Sequence, residues 1–169
     1  MPNLYSSAYE NVKDQIGYCG IWCGSCVVGN GALRNLAQRF ESVLDAYGFR
    51  EWAPKDFSYE EFSKGLAAIK ELPLCPGCRK GGGREDCPMR ACAAGEGIDD
   101  CTRCGQFASC LHGDALGHMR SGATAACLCV KNHEDSPREF LARSERQLRS
   151  GWPSCIIFME DGQGCAASK

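Results

Sequence analysis

LCPGCRKGGGREDCPMRACAAGEGIDDCTRCGQFASC, residues 74–110, is the stretch that decides how this chain can fold. Seven of its residues are cysteines, and most of the others are glycine, proline or charged residues. Apart from one short helix predicted to begin at Pro88, it shows no apolar periodicity. So few large apolar side chains cannot bury enough surface to offset the entropy lost on ordering. The stretch must be disordered or held by ligands, and its regularly spaced cysteines favour ligands.

Cysteine is abundant along the whole chain, with 14 among 169 residues. An even number permits seven disulfides, but most of the spacings are short. Three CxxC pairs occur, and two thiolates separated by two residues can bind one ion across a tight turn. The chain begins with Met1 and shows no secretory signal pattern, so we expect a cytoplasmic protein whose thiols stay reduced. Metal ligation is therefore favoured over disulfides and over unliganded thiols.

The overall composition excludes several other classes of protein. The formal net charge is −2, and no basic patch suggests nucleic-acid binding. No apolar run approaches the roughly 18 residues of a membrane-spanning helix. The length suits one domain with a modest core. We therefore expect neither a nucleic-acid nor a membrane partner, and the oligomeric state is left open.

Apolar residues at helical spacing predict regular structure on both sides of the cysteine-rich stretch. One such pattern predicts a helix near 31–47. A second helix is predicted near 58–72, where Ser58 and Glu61 form a capping box. Residues 111–132 carry a mixed pattern that fits two short helices.

The C-terminal part contributes one more helix and one expected strand. Ser136 is expected to cap a helix over 137–150, and the apolar run CIIFM at 155–159 fits a strand. We therefore predict a mainly α, small α-rich single domain over 1–169 with little β structure. The irregular cysteine-rich insert, residues 74–110, is expected to pack on the helices near 31–47, 58–72 and 137–150.

The CxxC pairs within the insert predict a first metal site. Cys75 and Cys78 enclose Pro-Gly, a tight-turn sequence, and Cys101 and Cys104 form the second pair. Four thiolates are what a closed tetrahedral zinc site requires. The sequence therefore predicts that these four cysteines share one structural site.

The stretch CGIWCGSC near the N-terminus predicts a second site. Its thiols Cys19, Cys23 and Cys26 could hold three corners of a 4Fe–4S cluster. The fourth ligand would come from Cys87, Cys92 or Cys110. Because all-thiolate sites suit both zinc and iron–sulfur clusters, the ligand types do not separate the two. CxxxCxxC is also the spacing of the radical S-adenosylmethionine enzymes, but this chain is short for their barrel and lacks repeated strand–helix alternation.

The remaining residues of interest are given structural roles. Cys127 and Cys129 lie in ATAACLCV, which resembles a core segment, although metal or redox roles stay open. Cys155 and Cys165 are interpreted similarly, the latter in a glycine-rich tail. Trp22 is interpreted as a lid over the N-terminal site, and the carboxylates of Asp99 and Asp100 are expected to face water.

Four pieces of the sequence, YCGIWCGSC, CPGCR, CPMRACA and CTRCGQFASC, occur in the order found in a known family. In this respect the chain resembles the cysteine-rich domain of unknown function 3795, which occurs in anaerobic bacteria and archaea. The resemblance spans Tyr18 to Cys110 and implies metal binding and an intracellular location, but no reaction. The ligands that it implies are Cys19, Cys23, Cys26, Cys75, Cys78, Cys87, Cys92, Cys101, Cys104 and Cys110.

These observations support three hypotheses of function. The first is a metalloprotein with two sites, zinc or 4Fe–4S, that serves a protein partner as an accessory or electron-transfer protein. The second is a small metalloenzyme, because three ligands at the N-terminal CxxxCxxC would leave one coordination position open for substrate. The third is a purely structural zinc module for protein–protein contact. The sequence leaves open whether the protein is an enzyme.

Overall fold

The computed structural model describes residues 4–159, and this part of the chain is mainly helical, as predicted. Its α-helices are α1 Leu4–Val12, α2 Ala32–Ala46, α3 Phe49–Trp52, α4 Tyr59–Glu71, α5 Pro88–Gly95, α6 Gly113–Ala125 and α7 Pro137–Ser150. Short 3-10 turns lie between them, and two isolated β-bridges are the only β pairings in this part of the chain. None of the helices within 4–159 combines the length and apolarity that crossing a membrane requires.

Local sequence signals fix several helix ends. The Ser58 hydroxyl accepts from the backbone N–H of Glu61 at the start of α4, and the Ser136 hydroxyl accepts from that of Glu139 at 3.2 Å at the start of α7. Both caps were predicted from the sequence. A hydroxyl at this position satisfies a backbone N–H that the helix itself leaves unpaired.

One expectation about helices needs correction, and one helix was not predicted. Residues 111–132 contain one helix, α6, rather than two, and the chain then turns into a segment that pairs with the N-terminal loop through the Ile21–Val130 bridge. The N-terminal helix α1 was not predicted from the sequence. Its residues Tyr9 and Val12 are buried, so packing of this short helix on the core stabilises it where its own sequence signal is weak.

The main core joins both ends of the chain around the N-terminal loop. Its members are Tyr9, Ile16, Trp22, Ala32, Phe140, Leu148, Ile156 and Ile157. Trp22 is therefore a core residue and not a lid. Its ring is almost fully buried, and its indole N–H donates to the Lys13 carbonyl at 2.7 Å.

The prediction of a strand over 155–159 is wrong. Residues Ser154–Phe158 form a 3-10 turn whose residues through Ile157 are buried. The apolar run is explained by burial against α2 and α7 rather than by strand pairing. A single turn can bury such a run without the partner strand that a β structure would need.

Helices α2 and α4 pack side by side as a second layer. The Phe40 and Phe62 rings meet edge to face with centroids 6.2 Å apart, and Arg34 Nε donates to the Lys70 carbonyl at 2.6 Å. The apolar stripe predicted for α2 is only partly covered, because Val43 is 53% exposed and Tyr47 is 74% exposed.

The insert over 74–110 buries few apolar side chains, as its composition predicted. Met89 and Ala93 of α5 are its buried hydrophobic residues. The hydrogen bonds described for the insert run mainly to residues 11–20 and to Lys131. The expected packing of the insert on the helices near 31–47, 58–72 and 137–150 stays a prediction.

Candidate metal centre

Two of the CxxC pairs adopt the same local fold. Cys23–Ser25 and Cys101–Arg103 are 3-10 turns. In each, the backbone N–H of the second cysteine donates to the carbonyl of the first, at 3.1 Å for Cys26 and 3.2 Å for Cys104. A turn of this kind places both side chains on one side of the backbone, which suits chelation.

The third pair, Cys75 and Cys78, lies around a tight turn made possible by glycine. Gly77 has φ +87°, a conformation that side chains with Cβ rarely adopt. Its carbonyl accepts from the backbone N–H groups of Lys80 and Gly82, both at 3.0 Å. A Cβ at Gly82 would lie 2.8 Å from the Cys75 sulfur, so glycine here lets the loop close around that thiol.

The N-terminal loop lies directly against this turn. A Cβ at Gly17 would be 3.1 Å from the Cys78 sulfur and 3.7 Å from the Cys19 sulfur. The backbone of Gly17 thus lies against both thiols. Arg79 strengthens the contact, because its Nε donates to the Ile16 carbonyl at 2.9 Å and its guanidinium stacks 4.9 Å from the centre of the Tyr18 ring.

Cys23 and Cys78 form a hydrogen-bonded thiol pair. Cys23 donates, so the pKa of Cys78 is lowered to about 6, with a further contribution from the Tyr18 backbone N–H. The same bond, together with burial, raises the pKa of Cys23. Cys75 lies close enough to Cys23 to raise its pKa further. Three thiols from the N-terminal loop and the CPGC turn are thus neighbours.

A second group of thiols interacts electrostatically with Cys101. Burial raises the pKa of Cys101 to about 11, and the neighbouring thiols of Cys19, Cys110, Cys92 and Cys104 raise it further. Burial also raises the pKa of Cys19, with smaller effects from Cys78 and Cys87. Cys19 therefore interacts with both groups, and the Cys101 backbone N–H donates to the adjacent Tyr18 carbonyl at 2.6 Å.

A buried ionic network holds the second group in place. Lys131 is fully buried; its Nζ lies 2.5 Å from Thr102 Oγ1 and 3.6 Å from Asp100 Oδ2. Asp100 also accepts from the Thr102 backbone N–H at 2.9 Å. The expectation that Asp100 faces water is wrong, because its charge is paired inside the fold, whereas the Asp99 side chain is largely exposed.

Arg120 connects this network to the N-terminal loop. Its guanidinium donates to the carbonyls of Cys19 at 2.9 Å and Lys131 at 2.8 Å. The Lys131 backbone N–H donates to the Gly20 carbonyl at 2.8 Å. Lys131 and Arg120 were not predicted as functional residues, since a single cation in an apolar or helical stretch carries no local signal of burial.

The ten predicted ligands all lie outside any disulfide in the described part of the chain. Of the ten predicted ligands, Cys92 is exposed and the others are partly buried. Cys155 is buried and Cys129 partly so, whereas Cys127 is exposed and is not a core residue. Cys165 lies outside the described residues.

The predicted grouping of Cys75, Cys78, Cys101 and Cys104 in one site stays a prediction. Within residues 4–159, no group of three or more Cys, His, Asp or Glu side chains is arranged to hold a metal ion. The thiols are neighbours, and their chemistry fits the all-sulfur sites that zinc and iron–sulfur clusters occupy. Their sulfurs would have to close further to coordinate an ion.

Comparison with known proteins gives one match. A family model described as "Protein of unknown function (DUF3795)" matches residues 15–114, which include all ten predicted ligands. No curated protein and no solved structure matches the chain.

Proposed function

The chain belongs to the DUF3795 family of proteins of unknown function, and on that premise we propose that it is a cysteine-ligated metalloprotein of the reducing cytoplasm. Its ligands would be thiolates of the N-terminal loop and of the insert. The bound group would be zinc, a 4Fe–4S cluster or one of each. The sites would serve an accessory or electron-transfer role toward a protein partner.

The observation that carries this proposal is the convergence of thiols from separate stretches of the chain. A Cβ at Gly17 of the N-terminal loop would contact the sulfurs of both Cys19 and Cys78. The Cys23 thiol of the same loop interacts with Cys78 of the insert, 55 positions later. The insert lacks the buried apolar side chains that normally hold such a segment. Metal–thiolate bonds would supply that missing stabilisation, because metal binding free energy adds directly to folding free energy.

The thiol interactions favour two four-ligand sites with a different grouping from the one that the CxxC pairs suggest. We assign Cys19, Cys23, Cys75 and Cys78 to the first site, and Cys92, Cys101, Cys104 and Cys110 to the second. Cys26 and Cys87 are left as neighbouring thiols that could replace a member. All eight assigned thiols belong to the two interaction groups centred on Cys23–Cys78 and on Cys101.

Electron transfer is favoured among the possible roles because the two sites would be adjacent. Cys19 interacts with Cys78 of the first group and with Cys101 of the second. Two redox centres that share a neighbouring thiol would exchange electrons readily. A structural zinc module would need no such proximity, so the metal content and the redox behaviour separate the two roles.

Single cysteine variants of anaerobically purified protein test this proposal. We expect Cys23→Ser and Cys104→Ser each to lower the metal content by one site, while Cys127→Ser, an exposed cysteine outside both groups, retains the full content. Iron with acid-labile sulfide and a reversible reduction would support electron transfer. Zinc without iron would instead support the structural zinc module. Equal metal content in all three variants would contradict the assigned ligands.

A further inference from the structure

A large cleft lies between α6 and α7, on the far side of the segment that pairs with the N-terminal loop. Its volume is about 900 Å³, within the range of small-molecule sites. Leu128 and Val130 supply apolar surface over the buried Phe140 ring, and polar residues of α6 and α7 are among the rest of the lining. The Cys129 carbonyl accepts from the Trp22 backbone N–H at 2.9 Å, which anchors this lining to the core.

The charge of the cleft is positive. Two arginines line it, Arg120 and Arg143, and no Asp or Glu is among the described lining residues. Arg120 bonds to neutral oxygens of Cys19, Lys131 and Asn132, and no carboxylate within residues 4–159 pairs with it. Its positive charge is therefore not cancelled inside the fold.

Arg143 is partly neutralised from outside the lining. One of its nitrogens lies 3.0 Å from Asp135 Oδ1, and the side chain is still 57% exposed. The guanidinium also lies over the Phe140 ring, 5.8 Å from its centre. These two contacts hold a planar group of donors in the lining of the cleft, and such a group suits bidentate recognition of a carboxylate or phosphate.

Hydrogen-bonding side chains are also concentrated here. Ser121 and Thr124 of α6 and Gln147 of α7 are exposed members of the lining, and the buried Ser144 lies beneath them. Cys127 lies in the lining in a left-handed conformation, φ +60°, at the end of α6. Glycine is the usual residue in this conformation, because a Cβ costs roughly 1–2 kcal/mol there.

We propose that this cleft binds a small organic anion, with a carboxylate or phosphate on Arg143 in the positive field of Arg120 and an apolar body on Leu128 and Val130. The inference is independent of metal binding, since none of the proposed metal ligands lines the cleft. The thiol of Cys127 is exposed and lies within the lining, so it provides a chemical reporter of what enters.

The test compares two alkylating reagents of similar size at Cys127, the anion iodoacetate and the neutral iodoacetamide. Both react with the same thiolate, so the ratio of their rates cancels the ionised fraction of the thiol. The rates are read from the Cys127 peptide by mass spectrometry of the full chain, folded and urea-unfolded. We expect the iodoacetate to iodoacetamide ratio to be at least about threefold higher in the folded protein.

Matched variants and a competitor identify the cause. Arg143→Gln should lower the ratio about twofold, whereas Arg146→Gln removes the same charge from an exposed position of α7 outside the lining and should leave it unchanged. Benzoate should slow alkylation by both reagents relative to chloride at equal ionic strength. Circular dichroism of the two arginine variants serves as the control that both fold.

The outcomes distinguish this proposal from the metal proposal. Equal ratios in folded and unfolded protein, an equal effect of the two arginine variants, or no protection by benzoate would each overturn the anion site. The metal content is measured on the same samples. The metal content does not enter the iodoacetate to iodoacetamide rate ratio. Either proposal can therefore fail without the other.

Discussion

Replacing Lys131 by Met leaves a carboxylate buried without its partner. Lys131 is fully buried and Asp100 is 3% exposed, with Nζ and Oδ2 3.6 Å apart. Methionine has a similar length and no charge, so it removes the ammonium group while keeping most of the volume. Asp100 retains its hydrogen bonds from Thr102, which stabilise its charge only in part.

The magnitude follows from the distance and from the burial of both groups. At 3.6 Å and an effective dielectric constant of about 20, two unit charges attract by about 5 kcal/mol. Loss of one partner of a buried pair typically costs about 3–5 kcal/mol, because the other charge stays buried. Since Thr102 still donates to Asp100, we expect Lys131→Met to lower the free energy of unfolding by about 3 kcal/mol.

Urea unfolding followed by circular dichroism measures this change, with the same metal loading in every sample. Lys64→Met is the control, because Lys64 pairs with Glu60 and Glu61 on the surface of α4, where pairs contribute about 0–1 kcal/mol. The double variant Asp100→Asn/Lys131→Met should recover at least about 1 kcal/mol of the loss, since the asparagine oxygen still accepts from Thr102. A loss of unfolding free energy no larger than that of the Lys64→Met control would refute a stabilising role for the buried Lys131–Asp100 pair.

Three further predictions concern the core, a helix cap and the insert. Phe140→Ala should cost about 3–5 kcal/mol because the ring is almost fully buried; denaturant unfolding should show a clearly smaller loss for Phe40→Ala, whose ring is half exposed. Ser136→Ala should cost about 1 kcal/mol through loss of the α7 cap, and a change below the error of the unfolding curve would contradict this. Removal of metal by a chelator should raise amide hydrogen exchange in 74–110 far more than in α7, and equal changes in both would show that metal does not hold the insert.

Most of the helices follow from local signals in the sequence. Ser136 with Glu139, and Ser58 with Glu61, fix two helix starts through interactions spanning three residues. The composition of the insert likewise indicated that it could not build a core of its own. Such features are predictable because each depends on neighbours in sequence.

What the sequence could not reveal depends on contacts between distant residues. Lys131 and Asp100 are separated by 31 positions, and nothing near either residue indicates that both are buried. The apolar run over 155–159 fits a strand by its composition, and its packing on α2 and α7, which the sequence does not show, accompanies the 3-10 turn that it forms instead. The grouping of thiols is similar, because spacing indicates which cysteines can chelate but not which loop reaches which turn.

X-ray absorption at the iron and zinc edges of anaerobically purified protein shows directly whether thiolates hold a metal. We expect a first shell made only of sulfur, at about 2.3 Å from zinc or from the iron of a cluster, with the signal reduced in Cys23→Ser. A first shell of nitrogen and oxygen, or folded protein with reduced thiols and neither metal, would contradict it.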